Sequence, residues 1–184
     1  ASDVYKRQLM ENNELNNIKK IIGLETGKVY ETIEGLRYGK IMILADQDED
    51  GSHIKGLVFN LFETLWPSLF KQKGFITSML TPIVKVKLSK SDDIEFYSLK
   101  DFEKWESESK IKIKDKWSAK YYKGLGTSTP KEAKTYFKEL KLIEYTVDEK
   151  HDIESLKMAF SKNENSSDER KKWLSTYNKE NTLD

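Results

Sequence analysis

The chain has 184 residues, 37% of them hydrophobic and 34% charged, enough for one domain with a buried core and a well-solvated surface. Its 32 Lys and Arg nearly cancel 31 Asp and Glu, leaving a net charge of +1, so any nucleic-acid contact must be local rather than driven by bulk charge. Cysteine is absent and only two histidines occur, which excludes disulfides, thiolate catalysis and thiolate zinc sites and leaves oxygen as the ligand chemistry.

From Gln8 to Leu24 the apolar residues Leu9, Met10, Leu15, Ile18, Ile21 and Ile22 recur at three-to-four spacing, which predicts an amphipathic helix ending at Gly23. Lys28 to Gly39 reads as a charged loop. KIMILA, Lys40 to Ala45, is a short continuous apolar run of the kind found in a buried parallel strand, and it stops at DQDEDG. Beyond it Ser52 is a candidate N-cap for a long helix through Ile54, Leu57, Val58, Leu61, Phe62 and Leu65, broken at Trp66-Pro67. FITSML and IVKVKL read as strand-like stretches, and FYSL, Phe96 to Leu99, as the second one's neighbour.

Asp101 to Ser107 reads as a short helix, Trp117 to Gly126 as a strand ending in a glycine turn, and Pro130 to Leu142 as a helix with Pro at its first position. Ile153 to Phe160 is a further helix. SKNENSSDE follows as a loop in which Asp168 is a candidate cap for a last helix carrying Trp173 and Leu174. Trp66, Trp105, Trp117 and Trp173 fall on apolar faces and are expected in the core. The order of strands and helices is α/β, with an acidic loop at the carboxyl end of a strand, where sites are favoured.

Asp46, Asp48 and Asp50 alternate along the chain, so their carboxylates can converge on one point. Two carboxylates about 4 Å apart repel by roughly 1 to 4 kcal/mol depending on the local dielectric, so either one takes a proton or a cation binds. A hard divalent ion such as magnesium, which keeps waters and shares its shell with phosphate, suits so few ligands. The bland alternative is a solvated or helix-capping acidic turn. An EF-hand is the sharper rival, but its twelfth position needs a bidentate Glu where this chain has Leu57, and an incoming helix where it has KIMILA. A phosphoryl-accepting Asp is a third reading, weakened by Asp50 standing where a Ser or Thr would be expected.

DQDEDGSHIKGL, Asp46 to Leu57, with LRYGKIMIL before it and TPIVKV, KYYKGLGTST and AFSK after it, closely resembles eukaryotic-type DNA topoisomerase II of the type IIA class. The resemblance covers nearly the whole chain in the family's order. It implies a Toprim (Rossmann-like) parallel sheet flanked by helices, with residues 1–39 an N-terminal helix and loop, 40–150 the Toprim core, and 151–184 a helical extension toward a winged-helix domain. It implies magnesium, with manganese or calcium able to substitute, held by Asp46 at both ion positions, by Asp48 at the looser one and supported by Asp50. A double-stranded DNA substrate, ATP bound outside this chain, a homodimer and a nuclear location are implied as well. A Toprim nuclease or primase is the alternative within the same fold.

The family's first metal-binding glutamate sits in a Glu-Gly-Asp-Ser segment, which nothing in Ala1 to Lys40 matches, and its nucleophilic tyrosine belongs to the winged helix. Arg37-Tyr38 is therefore a decoy, and the chain, which opens without Met, reads as an inactive piece of a longer enzyme. No apolar run is long enough to span a bilayer and the first residues lack a secretory stretch, so a soluble intracellular protein without membrane contact is expected. His53 could orient an Asp or touch DNA. Lys123 and Gly124, in KGLGTS, and Lys162 and Asn163, after AFSK, are the other expected DNA contacts, while Tyr121 and Tyr122 are packing or DNA-facing residues.

Overall fold

The computed structural model describes residues 11–89, 92–112, 117–122, 125–148, 151–160 and 166–176. Contacts gather the chain into two compact units, one of residues 1–40, 56–75 and 146–184, the other of residues 41–55 and 76–145.

In the first unit, helix α1 (Asn13–Ile22) begins where the Asn12 side chain accepts the Leu15 N–H at 3.0 Å. It ends at Gly23, whose φ of 86° is the left-handed conformation that glycine adopts without a Cβ penalty. Arg37 completes this end, its backbone N–H donating to the Ile22 carbonyl and its guanidinium to that of Lys20. A structural role thus accounts for Arg37, and Tyr38 beside it is exposed.

Helix α2 (Glu49–Leu65) contributes its later turns to this unit and stops at Trp66, whose φ of −142° is not helical; Pro67 then opens the short α3 (Pro67–Phe70). The break is also an anchor. Trp66 is 1% exposed, donates its indole N–H to the Glu25 carbonyl at 2.9 Å, and packs in a tilted arrangement against Phe62 at 5.6 Å between centroids. Phe62 meets Phe75 edge-on at 5.7 Å, and Leu61, Leu69, Phe70, Ile22, Leu24 and Tyr30 are buried as well.

The unit's last helices are α6 (His151–Phe160) and α7 (Ser166–Ser175). The sequence places SSDE in a loop with Asp168 as cap, but the helix starts at Ser166, so Asp168 lies in its first turn, where a carboxylate complements the helix dipole. Trp173 does not join a core: it is 51% exposed on a helix dominated by charged residues.

The second unit carries two three-stranded sheets. In the first, β1 (Ile41–Ile43) runs parallel to β2 (Ile76–Met79), and β6 (Leu142–Glu144) completes the order β1-β2-β6 antiparallel to β2. Thr77 and Ser78 are buried at the centre of this sheet and are satisfied there, Thr77 Oγ1 by the Ile41 carbonyl and Ser78 Oγ by the Tyr145 hydroxyl at 2.7 Å. The second sheet is antiparallel in the order β4 (Ile94–Phe96), β3 (Val84–Leu88), β5 (Trp117–Tyr121). Helix α4 (Leu99–Lys112) covers it, burying Phe102 against Val84, Val86 and Phe96, with Trp105 and Trp117 edge-on at 5.3 Å. A 3-10 turn (Leu125–Thr127) and α5 (Pro130–Lys138) lie between β5 and β6.

The α/β class holds, with β1 and β2 as the parallel pair among the described residues and the other pairings antiparallel. Several boundaries differ from the sequence reading: of FYSL only Phe96 lies in a strand, β4, while Leu99 already opens α4, and β5 ends at Tyr121. The helix from Pro130 ends at Lys138, and Leu142 opens β6 instead; a three-residue strand with alternating exposure leaves too little pattern to register. Helix α4 runs to Lys112 rather than Ser107 because the polar run that follows is still compatible with a helix.

Candidate metal centre

β1 delivers the chain to the acidic loop with Ile43 and Ala45 buried, and α2 begins at Glu49. The transition is tight. Gly51, buried in the first turn of α2, lies so close to Asp46 that an added Cβ would fall on the Asp46 carbonyl oxygen. Only glycine lets the strand end fold back on the helix start in this way.

Asp48 supplies the cap that Ser52 was expected to provide. Its Oδ1 accepts the Gly51 N–H at 2.7 Å and its carbonyl accepts the Ser52 N–H at 3.0 Å. Ser52 sits inside the first helical turns. The bland reading of the loop as a helix cap is therefore true of one Asp48 oxygen. Gln47, between the first two aspartates, ties the loop to the sheet by donating its amide to the Met79 carbonyl at the end of β2, at 3.0 Å.

Asp46 and Asp48 lie on the strand-to-helix turn, whereas Asp50 lies in the first turn of α2 beside Glu49. Among the described residues no three acidic or imidazole side chains form a group that could by itself enclose a metal ion. The donor set still fits magnesium, because it is made only of oxygen, partly solvent-facing, and placed at the positive end of a 17-residue helix. Magnesium commonly takes one or two carboxylates and completes its shell with water and phosphate, so an open set is what it requires. An EF-hand is excluded by the strand that enters the loop.

Lys55, which no motif in the sequence singles out, is a cation close to Asp48. Burial lowers the pKa of its ammonium while the Asp48 carboxylate pulls it back up. His53 is exposed on the first turns of α2. Lys123, Gly124, Lys162 and Asn163 lie outside the described residues.

A second polar cluster stands at the root of the turn that follows β5. Glu132 Oε2 accepts the Thr129 N–H at 2.7 Å and its hydroxyl at 2.9 Å, while the Glu132 N–H donates back to Thr129 Oγ1, a complete capping box for α5. Lys120 Nζ reaches both carboxylate oxygens at 3.2 Å and lies 4.5 Å over the Tyr122 ring, whose hydroxyl donates to Oε1. Burial pushes the Glu132 carboxyl up, but bonds from Tyr122, Thr129 and Lys120 outweigh it and hold the pKa down at about 2. The Tyr122 hydroxyl is raised well above its usual range by burial and by donating to Glu132. Tyr122 is therefore a packing residue, 7% exposed, whereas Tyr121 is 54% exposed. The sequence signal for this cluster is the Thr-x-x-Glu spacing around Pro130.

No helix among the described residues is long and apolar enough to cross a membrane. Comparison with known proteins gives consistent relatives. The chain is 49% identical over 176 residues to DNA topoisomerase 2-alpha of Mus musculus, covering 93% of this chain and 11% of that protein. It is 46% identical over 173 residues to a probable DNA topoisomerase 2 of Dictyostelium discoideum, again covering 11% of that protein. Its fold matches the crystal structure of the Plasmodium falciparum topoisomerase II DNA-binding, cleavage and re-ligation domain with a TM-score of 0.87 at 42% identity, over 97% of this chain and 24% of that one. The chain thus spans about a tenth of the length of these curated relatives. The family described as the C-terminal associated domain of TOPRIM matches residues 79–184, more than half of the chain, and this chain belongs to that family.

Proposed function

We propose that this chain is the magnesium-binding part of an ATP-dependent type II DNA topoisomerase, which makes and reseals a transient double-strand break to pass one duplex through another. One observation carries the reading: an acidic loop at the carboxyl end of β1, fixed by Gly51 and Gln47, presents Asp46, Asp48 and Asp50 at the start of a long helix. The names of the similar proteins supply the reaction class.

In this proposal Asp46 and Asp48 hold the ion and Asp50 supports them by adding negative charge. Magnesium there supplies neutralisation of a phosphodiester and of the oxygen that leaves it. Asp48 keeps one oxygen on the helix cap, so its carboxylate is oriented before any ion arrives. His53, Lys123, Gly124, Lys162 and Asn163 contact double-stranded DNA. Residues 1–39, 40–150 and 151–184 serve as entry segment, Toprim core and extension toward a tyrosine-bearing winged helix. The whole enzyme is a nuclear homodimer that binds ATP outside this chain, and manganese or calcium can replace magnesium.

The test is plasmid cleavage by the full-length enzyme carrying Asp46→Asn or Asp48→Asn, which remove charge while keeping volume. Each substitution is expected to lower magnesium-dependent cleavage by about 100-fold or more. Cleavage at the parental rate by both variants would overturn the proposal.

A further inference from the structure

The Glu132 cluster does more than start a helix. A capping box needs only Thr129 and Glu132, yet two groups from the other side of the turn, Lys120 and Tyr122, converge on the same carboxylate. Tyr122 is itself fixed, its backbone N–H donating to the Ile83 carbonyl at 2.8 Å. One carboxylate thus joins the end of β5 to the beginning of α5, and between them the chain exposes Gly126 and Thr127. Nothing lies within 4 Å of a Cβ built at Gly126, so Gly126 faces open space. With Tyr122 and Thr129 tied to one carboxylate, ordering Gly126 and Thr127 around a ligand costs less conformational freedom.

We propose that Glu132 is a positioning residue that fixes the turn bearing Gly126 and Thr127 so that it can receive a DNA phosphodiester. The inference rests on the proposed topoisomerase function and deepens it: Glu132 touches no DNA, and acts by holding Thr129 and Tyr122 at a set separation. A negative side chain beside a phosphate would repel it, but here Lys120 and three neutral donors satisfy the carboxylate.

The experiment uses the full-length enzyme with Glu132→Ala, Glu132→Gln, Tyr122→Phe and, in parallel, Asp46→Asn. Three quantities are read: the Kd for a linear duplex, the magnesium concentration for half-maximal cleavage, and the melting temperature. We expect Glu132→Ala to raise the Kd of the folded enzyme about tenfold, the loss of roughly one hydrogen bond to a charged group. Tyr122→Phe should raise it severalfold, although a buried phenol cannot reach DNA, and Glu132→Gln should restore part of the affinity. The half-maximal magnesium concentration should not move. A role in stability alone would lower the melting temperature and leave the Kd of the folded enzyme unchanged. If Glu132→Ala does not fold, Tyr122→Phe decides. A Kd within twofold of the parent for Tyr122→Phe and for whichever Glu132 variants fold overturns the inference. Should Asp46→Asn cleave normally, it is the topoisomerase reading that fails.

Discussion

Gly51→Ala tests the loop geometry against helix propensity, because the two predict opposite signs. Gly51 sits in the first turn of α2 with a helical backbone, and in an open helix Gly→Ala stabilises by about 1 kcal/mol. Here the new methyl would fall on the Asp46 carbonyl oxygen, with the Asp46 carbonyl carbon only 2.9 Å away. These are backbone atoms, so no side-chain rotation relieves the clash and the strand-to-helix turn must open. Overpacking of this kind costs about 1 to 3 kcal/mol, and displacement of the Asp48 cap adds about 1 kcal/mol. Set against the propensity gain, the net destabilisation is about 1 to 3 kcal/mol, a fall in Tm of roughly 3 to 10 °C for a chain of this size. Thermal unfolding of Gly51→Ala beside Gly56→Ala is the assay. A Cβ at Gly56 meets the Phe160 ring at 2.8 Å, a side chain that can yield, so the second variant should lose less. A Gly51→Ala chain as stable as the parent, or more so, would refute the close approach of Asp46.

Asp48→Ala should cost about 1 kcal/mol of stability through the lost cap, whereas Asp48→Asn keeps an acceptor for the Gly51 N–H and should melt close to the parent; urea unfolding of the two variants compares them. Glu132, at about 2 when folded against an ordinary 4.5, contributes stability that is fully present above about pH 4.5 and lost as pH falls toward 2. The difference corresponds to at most about 3 kcal/mol, and partial exposure lowers it to about 1 to 2 kcal/mol. Urea midpoints between pH 6 and 3 should therefore fall less steeply in Glu132→Gln. Phe62→Ala, at a position 1% exposed and edge-on to Phe75, should cost about 3 to 5 kcal/mol in the same unfolding assay.

Much of this was legible where one residue type permits one conformation. Gly23 stops α1, Pro67 restarts the chain after α2, and the apolar run before the aspartates holds a parallel strand, although only Ile43 and Ala45 of that run are buried. The acidic loop could be found from charge alone, but its internal geometry could not. Asp48 and Ser52 are both good caps, and what selects Asp48 is the close approach allowed by Gly51, a tertiary fact. β6 escaped because a short strand at a sheet edge borrows its identity from β2. Trp173 misled because four aromatic residues read alike in sequence, while only its neighbours on a charged helix decide that it stays exposed. The Glu132 cluster was half visible: the capping-box spacing is local, but Tyr122 reaches Glu132 only once β5 and α5 are folded against one turn.

The most direct test of the metal centre is anomalous diffraction from crystals of the full-length enzyme with duplex DNA and manganese in place of magnesium. We expect a peak about 2.0 to 2.3 Å from carboxylate oxygens of Asp46 and Asp48, beside a DNA phosphate, that vanishes in Asp46→Asn. Manganese bound elsewhere, with these carboxylates turned away from the DNA, would contradict it.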